Sequence, residues 1–111
     1  MKQRDRIGNF QEFWPYYVSE HSKPGCRLLH FIGSSAGLLC LTAAALSGKL
    51  LFIPLGLIIG YGFAWIGHFF IEHNKPATFK YPLWSLIADW KMWRLMITGR
   101  MNNEVDRRSQ T

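Results

Sequence analysis

The chain has 111 residues, a formal net charge of +6 and a mean hydropathy of −0.01, a size that suits one domain spanning 1–111. A basic excess fits nucleic acid or an anionic membrane surface. Nucleic-acid binders cluster Lys and Arg on one face with aromatics among them, whereas here the basic residues bracket apolar segments: Lys23 and Arg27 precede one, and Lys75 and Lys80 follow another. This arrangement favours lipid headgroups and argues against a nucleic-acid partner.

In chain order, the charged run Met1–Arg6 is followed by no apolar stretch, so a cleavable signal peptide is not expected. Phe10, Phe13, Trp14 and Tyr17 then recur at helical spacing, which predicts an interfacial aromatic segment that Pro15 kinks or interrupts. Lys23-Pro24-Gly25 predicts a helix start, with Pro24 at its first position.

From Phe31 to Ile71 the sole charged residue is Lys49. Phe31–Gly48 and Leu50–Gly67 each supply 18 uncharged residues, enough for a short membrane span. Ser47-Gly48-Lys49 separates them as a tight break. The expected fold is therefore all-α: an integral membrane helical hairpin of two transmembrane helices, about 24–47 and about 50–73, with interfacial or re-entrant flanking helices. Gly33 and Gly37, like Gly56 and Gly60, stand four apart, a spacing that lets helix backbones approach closely in lipid. Twelve of the thirteen Lys and Arg lie on the two flanks, so both termini are expected on the cytoplasmic side.

The hairpin has a symmetry that bears on function. His30 lies 19 residues before Lys49 and His68 lies 19 after it. At about 1.5 Å per residue both return to one level, roughly 28 Å from the turn. His73 follows five residues beyond His68, and on an ideal helix the two differ by about 140°, so both point inward only if the turn unwinds. Asn74-Lys75-Pro76 makes a helix end there plausible. His21, just before the helix start, sits where the chain can fold back. All four histidines of the protein are thus expected to converge on one metal site at the cytoplasmic mouth. Imidazoles suit iron, zinc, copper or nickel, and spacing alone does not choose among them. Glu72, four residues after His68, fits a residue that orients a ligand or pairs with Lys75 or Lys80. Cys26 and Cys40 match no zinc or redox spacing. About 21 Å apart on one helix, they are expected to be free thiols.

Beyond the hairpin, Pro82–Thr98 is rich in Trp, Leu and Ile but carries Asp89, Lys91 and Arg94. This predicts an amphipathic or third membrane helix over about 82–98, with Asp89 as an acceptor behind the metal ligands. The polar tail Met101–Thr111 is expected to fray.

Tyr17-Val-Ser-Glu-His21, Pro24 and Arg27-Leu-Leu-His30-Phe-Ile-Gly33 resemble the Mpo-type 2-hydroxy fatty acid dioxygenases, small membrane proteins. So do Trp65-Ile-Gly67-His68-Phe-Phe-Ile-Glu72-His73-Asn74-Lys75-Pro76-Ala77, Pro82-Leu-Trp-Ser85-Leu and Asp89. The resemblance covers about residues 10 to 98. It implies an Fe(2+)-dependent enzyme of fatty acid α-oxidation that uses molecular oxygen to convert a long-chain 2-hydroxy fatty acid into the fatty acid one carbon shorter. It also implies His21, His30, His68 and His73 as catalytic iron ligands. Arg27, Lys75 and Lys80 are then available to steer the substrate carboxylate or to anchor the chain to lipid. Two other classes fit the residues alone: a bis-histidine haem protein for electron transfer through His30 and His68, and a non-catalytic membrane interaction protein. Four histidines are too few for a membrane di-iron hydroxylase.

Overall fold

The computed structural model describes residues 7–109, with side chains described as far as Arg107; the charged run Met1–Arg6 lies outside the described residues. Those residues are predominantly helical, without strands. They form two compact units. One is Lys23–Pro76, and the other unites the described parts of Met1–Ser22 and Ala77–Thr111.

The first unit is the apolar hairpin. Helix α2 runs Pro24–Ser47, with Lys23 in extended conformation before it and Pro24 at its first turn. Gly48 ends it at φ 75, the left-handed cap that glycine adopts without steric cost, and its N–H bonds Ala44 O at 2.8 Å. Helix α3, Phe52–Ile66, continues into a widened π turn over Gly67–Glu72. Pro54 falls in the first turn of α3, where a missing N–H costs little. The two helices meet at small residues. A Cβ placed on Gly33 would lie 2.9 Å from both Gly60 O and Phe63 Cβ. One on Gly56 would lie 3.0 Å from Cys40 Cβ and 3.1 Å from Gly37 O. These contacts pair early α2 with late α3, so the helices are antiparallel.

Their outer faces are apolar and uncovered: Leu46 is 85% and Leu51 83% exposed. Pro24–Ser47 (24 residues) and Phe52–Glu72 (21 residues) are both long and apolar enough to cross a membrane. Exposed leucine at this density is costly in water and neutral in lipid, which is the physical case for a membrane protein.

The second unit is built differently. Helix α1, Phe10–Ser19, starts at Asn9, whose side chain accepts the Glu12 N–H at 2.8 Å. Pro15 does not interrupt this helix. The carbonyl it leaves unbonded belongs to exposed Gln11, where water can serve. A short 3-10 turn, Ala77–Phe79, leads to α4, Pro82–Ile97, and then to α5, Met101–Ser109. Ser85, Ala88, Met92 and Leu95 form the buried face of α4 and pack with Phe13, Trp14, Tyr17, Val18 and Tyr81. At 16 residues, or about 24 Å, α4 is shorter than a bilayer core.

Two of its charged residues are engaged within the unit. Lys91 Nζ stands 4.2 Å from the Trp14 ring, and Asp89 accepts from the Tyr17 hydroxyl. The tail corrects the expectation of fraying. Met101 is buried and Val105 packs on the same core one turn later, while Trp14 Nε1 donates to Glu104 at 2.8 Å. A buried indole N–H needs an acceptor, and α5 supplies it.

Candidate metal centre

The hairpin unit carries the centre. His30 on α2 and His68 on the π turn face each other, with Nε2 to Nε2 at 3.2 Å and ring planes at 88°. Both are buried, at 5% and 1% exposure. Cys26, one turn before His30 on α2, is also buried, and its sulfur lies within 4.8 Å of one ring nitrogen of each. The donors themselves provide the test of fit. Two nitrogens bound in cis positions at about 2.0–2.1 Å from one ion span roughly 3.0–3.4 Å. The observed separation falls in that range.

The tautomer also fits. His68 Nδ1 lies 2.7 Å from Asn74 Oδ1, which accepts its proton and leaves Nε2 with a bare lone pair toward His30. The local fold makes this bond possible. After the π turn, His73 adopts φ 60, and the Asn74 N–H returns to His68 O at 2.9 Å. That reversal carries the Asn74 side chain back to the ring. The widened turn and left-handed cap thus orient one ligand, in keeping with the frequent occurrence of π turns at functional sites. Glu72 accepts the Lys23 N–H at 2.7 Å and so ties the end of the π turn to the start of α2. Gly67 provides room, since a Cβ there would stand 2.9 Å from Cys26 Sγ.

His21 belongs to the other unit and is prepared in the same way. It is fully buried and stacks on Tyr17 with ring centroids 4.0 Å apart. Its Nδ1 donates to Tyr17 O at 2.7 Å; a carbonyl can only accept, so the proton of the neutral ring is on Nδ1. Tyr17 in turn donates its hydroxyl to Asp89. Burial pushes the Asp89 carboxyl up to about 7, against the opposing pull of the Tyr17 bond.

A family model described as 2-hydroxy-palmitic acid dioxygenase Mpo1-like matches residues 7–101. The chain belongs to that Mpo1-like family. No curated protein and no solved structure matches it. Membership suggests a 2-hydroxy fatty acid dioxygenase, and the buried histidine and cysteine donors form a group able to hold a metal ion.

Set against the residues expected from sequence, the structure brings His30 and His68 together and leaves His73 apart. His73 is exposed at the left-handed cap that closes the π turn. Asp89 stands behind Tyr17, two bonds removed from the His21 ring. Arg27 is buried, whereas Lys75 and Lys80 are exposed, with Lys80 Nζ 5.8 Å from the Tyr81 ring. Sequence reasoning missed two residues, Cys26 and Asn74. The first had a usable signal in its position four residues before His30, which is one face of a helix.

Proposed function

We propose that the protein is an Fe(2+)-dependent 2-hydroxy fatty acid dioxygenase of fatty acid α-oxidation, converting a long-chain 2-hydroxy acid to the fatty acid one carbon shorter. The observation that carries this reading is the His30–His68 pair: two buried imidazoles, Nε2 to Nε2 at 3.2 Å, one of them held in the metal-binding tautomer by Asn74. It rests equally on membership of the Mpo1-like family.

His30 and His68 hold the iron. His21, separated from α2 only by Ser22 and Lys23 in the sequence, is assigned to the same ligand set on the family resemblance. His73, exposed beyond the π turn, is assigned to the mouth of the site and not to the metal. Bound Fe(2+) supplies a redox centre for oxygen and a Lewis acid for the 2-hydroxy acid.

The protein's own residues do the rest. Arg27, buried on α2 between Cys26 and His30 in sequence, binds the substrate carboxylate. The exposed Lys75 and Lys80 meet anionic lipid headgroups. The apolar outer faces of α2 and α3, continuous with lipid, take the alkyl chain. Both termini face the cytoplasm, in the inner membrane of a bacterium or the endoplasmic reticulum of a eukaryote. A haem reading fits less well. Axial histidines approach a macrocycle from opposite faces, whereas His30 and His68 converge directly on one another.

The test is oxygen uptake by anaerobically purified, Fe(2+)-loaded protein on addition of 2-hydroxypalmitate, with mass spectrometry of the product. Uptake with a C15 fatty acid product is expected, and His68→Ala should abolish it while leaving the helical circular dichroism intact. No uptake across several chain lengths, with iron confirmed bound, would overturn the dioxygenase reading.

A further inference from the structure

The two cysteines occupy the same helix in very different settings. Cys40 is half-buried, and its Cβ packs where Gly56 lacks one, a contact explained by the close approach of α2 and α3. Cys26 is 0% exposed. It stands one turn before His30, on the same face of α2, so both side chains project toward the π turn. Its sulfur, one imidazole nitrogen of His30 and one of His68 all lie within 4.8 Å of one another. Gly67, the residue before His68 in the π turn, leaves space that a single Cβ would close, 2.9 Å from the sulfur and 3.3 Å from the Cys26 Cα. Packing alone would be served by alanine or valine. A sulfur held against two converging imidazoles is instead a third donor.

We infer that Cys26 is a metal ligand, binding as a thiolate beside His30 and His68 and making the centre a mixed nitrogen–sulfur site. The inference rests on the metal reading above and adds to it a donor of a different chemical class. Coordination forms one metal–sulfur bond and releases the thiol proton to solvent, with no change of oxidation state. An anionic sulfur offsets part of the charge of a divalent ion in a low-dielectric setting, which two neutral imidazoles do not. It also shifts the preference of the site toward borderline and soft divalent ions over Mg(2+) or Ca(2+).

Cobalt(II) tests this directly, because thiolate ligation produces a near-ultraviolet charge-transfer band that imidazole ligation lacks. The full-length protein in nanodiscs should bind about one equivalent of Co(2+) and show the band, as should Cys40→Ser. Cys26→Ser and Cys26→Ala should retain the weaker visible ligand-field bands and lose the charge-transfer band. X-ray absorption of the unmutated, metal-loaded protein provides a readout that survives misfolding of the variants, and a sulfur scatterer at about 2.3 Å is expected. Cobalt bound without the band, a shell of nitrogen and oxygen alone, or a band that persists in Cys26→Ser would overturn the inference and leave the histidine site standing. Failure of the unmutated protein to bind cobalt at all would overturn the metal reading and this inference together.

Discussion

The two units solve the same problem with opposite materials. In the hairpin, α2 and α3 meet at glycine and bury few large side chains, while leucine and isoleucine face outward. In the other unit, α1, α4 and α5 bury Phe13, Trp14, Tyr17, Tyr81 and Met92 around one aromatic core. Buried polar groups there are matched across helices, as in Trp14 Nε1 to Glu104 and Tyr17 to Asp89. The difference reflects the solvent each unit was built for. Lipid gives no hydrophobic reward for bringing helices together, so close backbone packing must do so. A core assembled beside water gains from every large apolar side chain it hides.

The largest predicted contrast follows. Phe13→Ala removes a fully buried ring from the aromatic core and should cost about 3–5 kcal/mol, lowering the midpoint of thermal unfolding followed by tryptophan fluorescence. Four of the five tryptophans, Trp14, Trp84, Trp90 and Trp93, lie in that unit, so the signal reports on it. Ile58→Ala in the hairpin, at a side chain 70% exposed, should change stability by less than about 0.5 kcal/mol. Comparable losses from the two substitutions would break the comparison.

Next in size is Gly33→Ala. The added Cβ meets a backbone oxygen at 2.9 Å, and neither helix can yield without separating, so a cost of about 1–3 kcal/mol is expected. The readout is cleavage between the helices by a protease at elevated temperature, faster in the variant than in a Gly62→Ala control, where nothing lies within 4 Å.

Asn74→Ala tests the centre without touching a ligand. Loss of the bond that fixes the His68 tautomer should weaken metal binding about 10- to 100-fold, measured by competition with a chelator, while the helix content stays constant. Unchanged affinity would show that the π turn alone orients the ring.

These sites differ in how far the sequence revealed them. The apolar hairpin was legible because charge is absent over a long stretch and glycine marks the turn. His30 and His68 could be matched because helical rise is constant, so equal distances from Lys49 mean equal depth. The π turn was not legible, since a change from one hydrogen-bond register to another leaves no mark in residue type. Asn74-Lys75-Pro76 announced an end to the helix but not the left-handed His73 that returns Asn74 to His68. In α5 the spacing of Met101 and Val105 by four was available, but the need of Trp14 for an acceptor is a tertiary fact.

The remaining effect is one of pH; it concerns Asp89 and belongs to the aromatic unit alone. Its carboxyl titrates near 3.8 when unfolded and is raised to about 7 in the fold, chiefly by burial. Between those values the folded chain holds a proton that the unfolded chain has released, so stability falls as pH rises through this window and is level on either side. The Tyr17 hydroxyl bonded to Asp89 belongs to the residue whose carbonyl fixes His21, so the same carboxyl links the stability of the core to the ordering of a proposed ligand. Asp89→Asn keeps an acceptor for Tyr17 without a charge. Its unfolding midpoint should therefore fall less than that of the unmutated protein between pH 4 and pH 7, with the two differing most at the upper end. Parallel midpoints across that range would mean that Asp89 is ionised and compensated in the fold, and Tyr17 would then be held by a charged acceptor in a core otherwise sealed against charge.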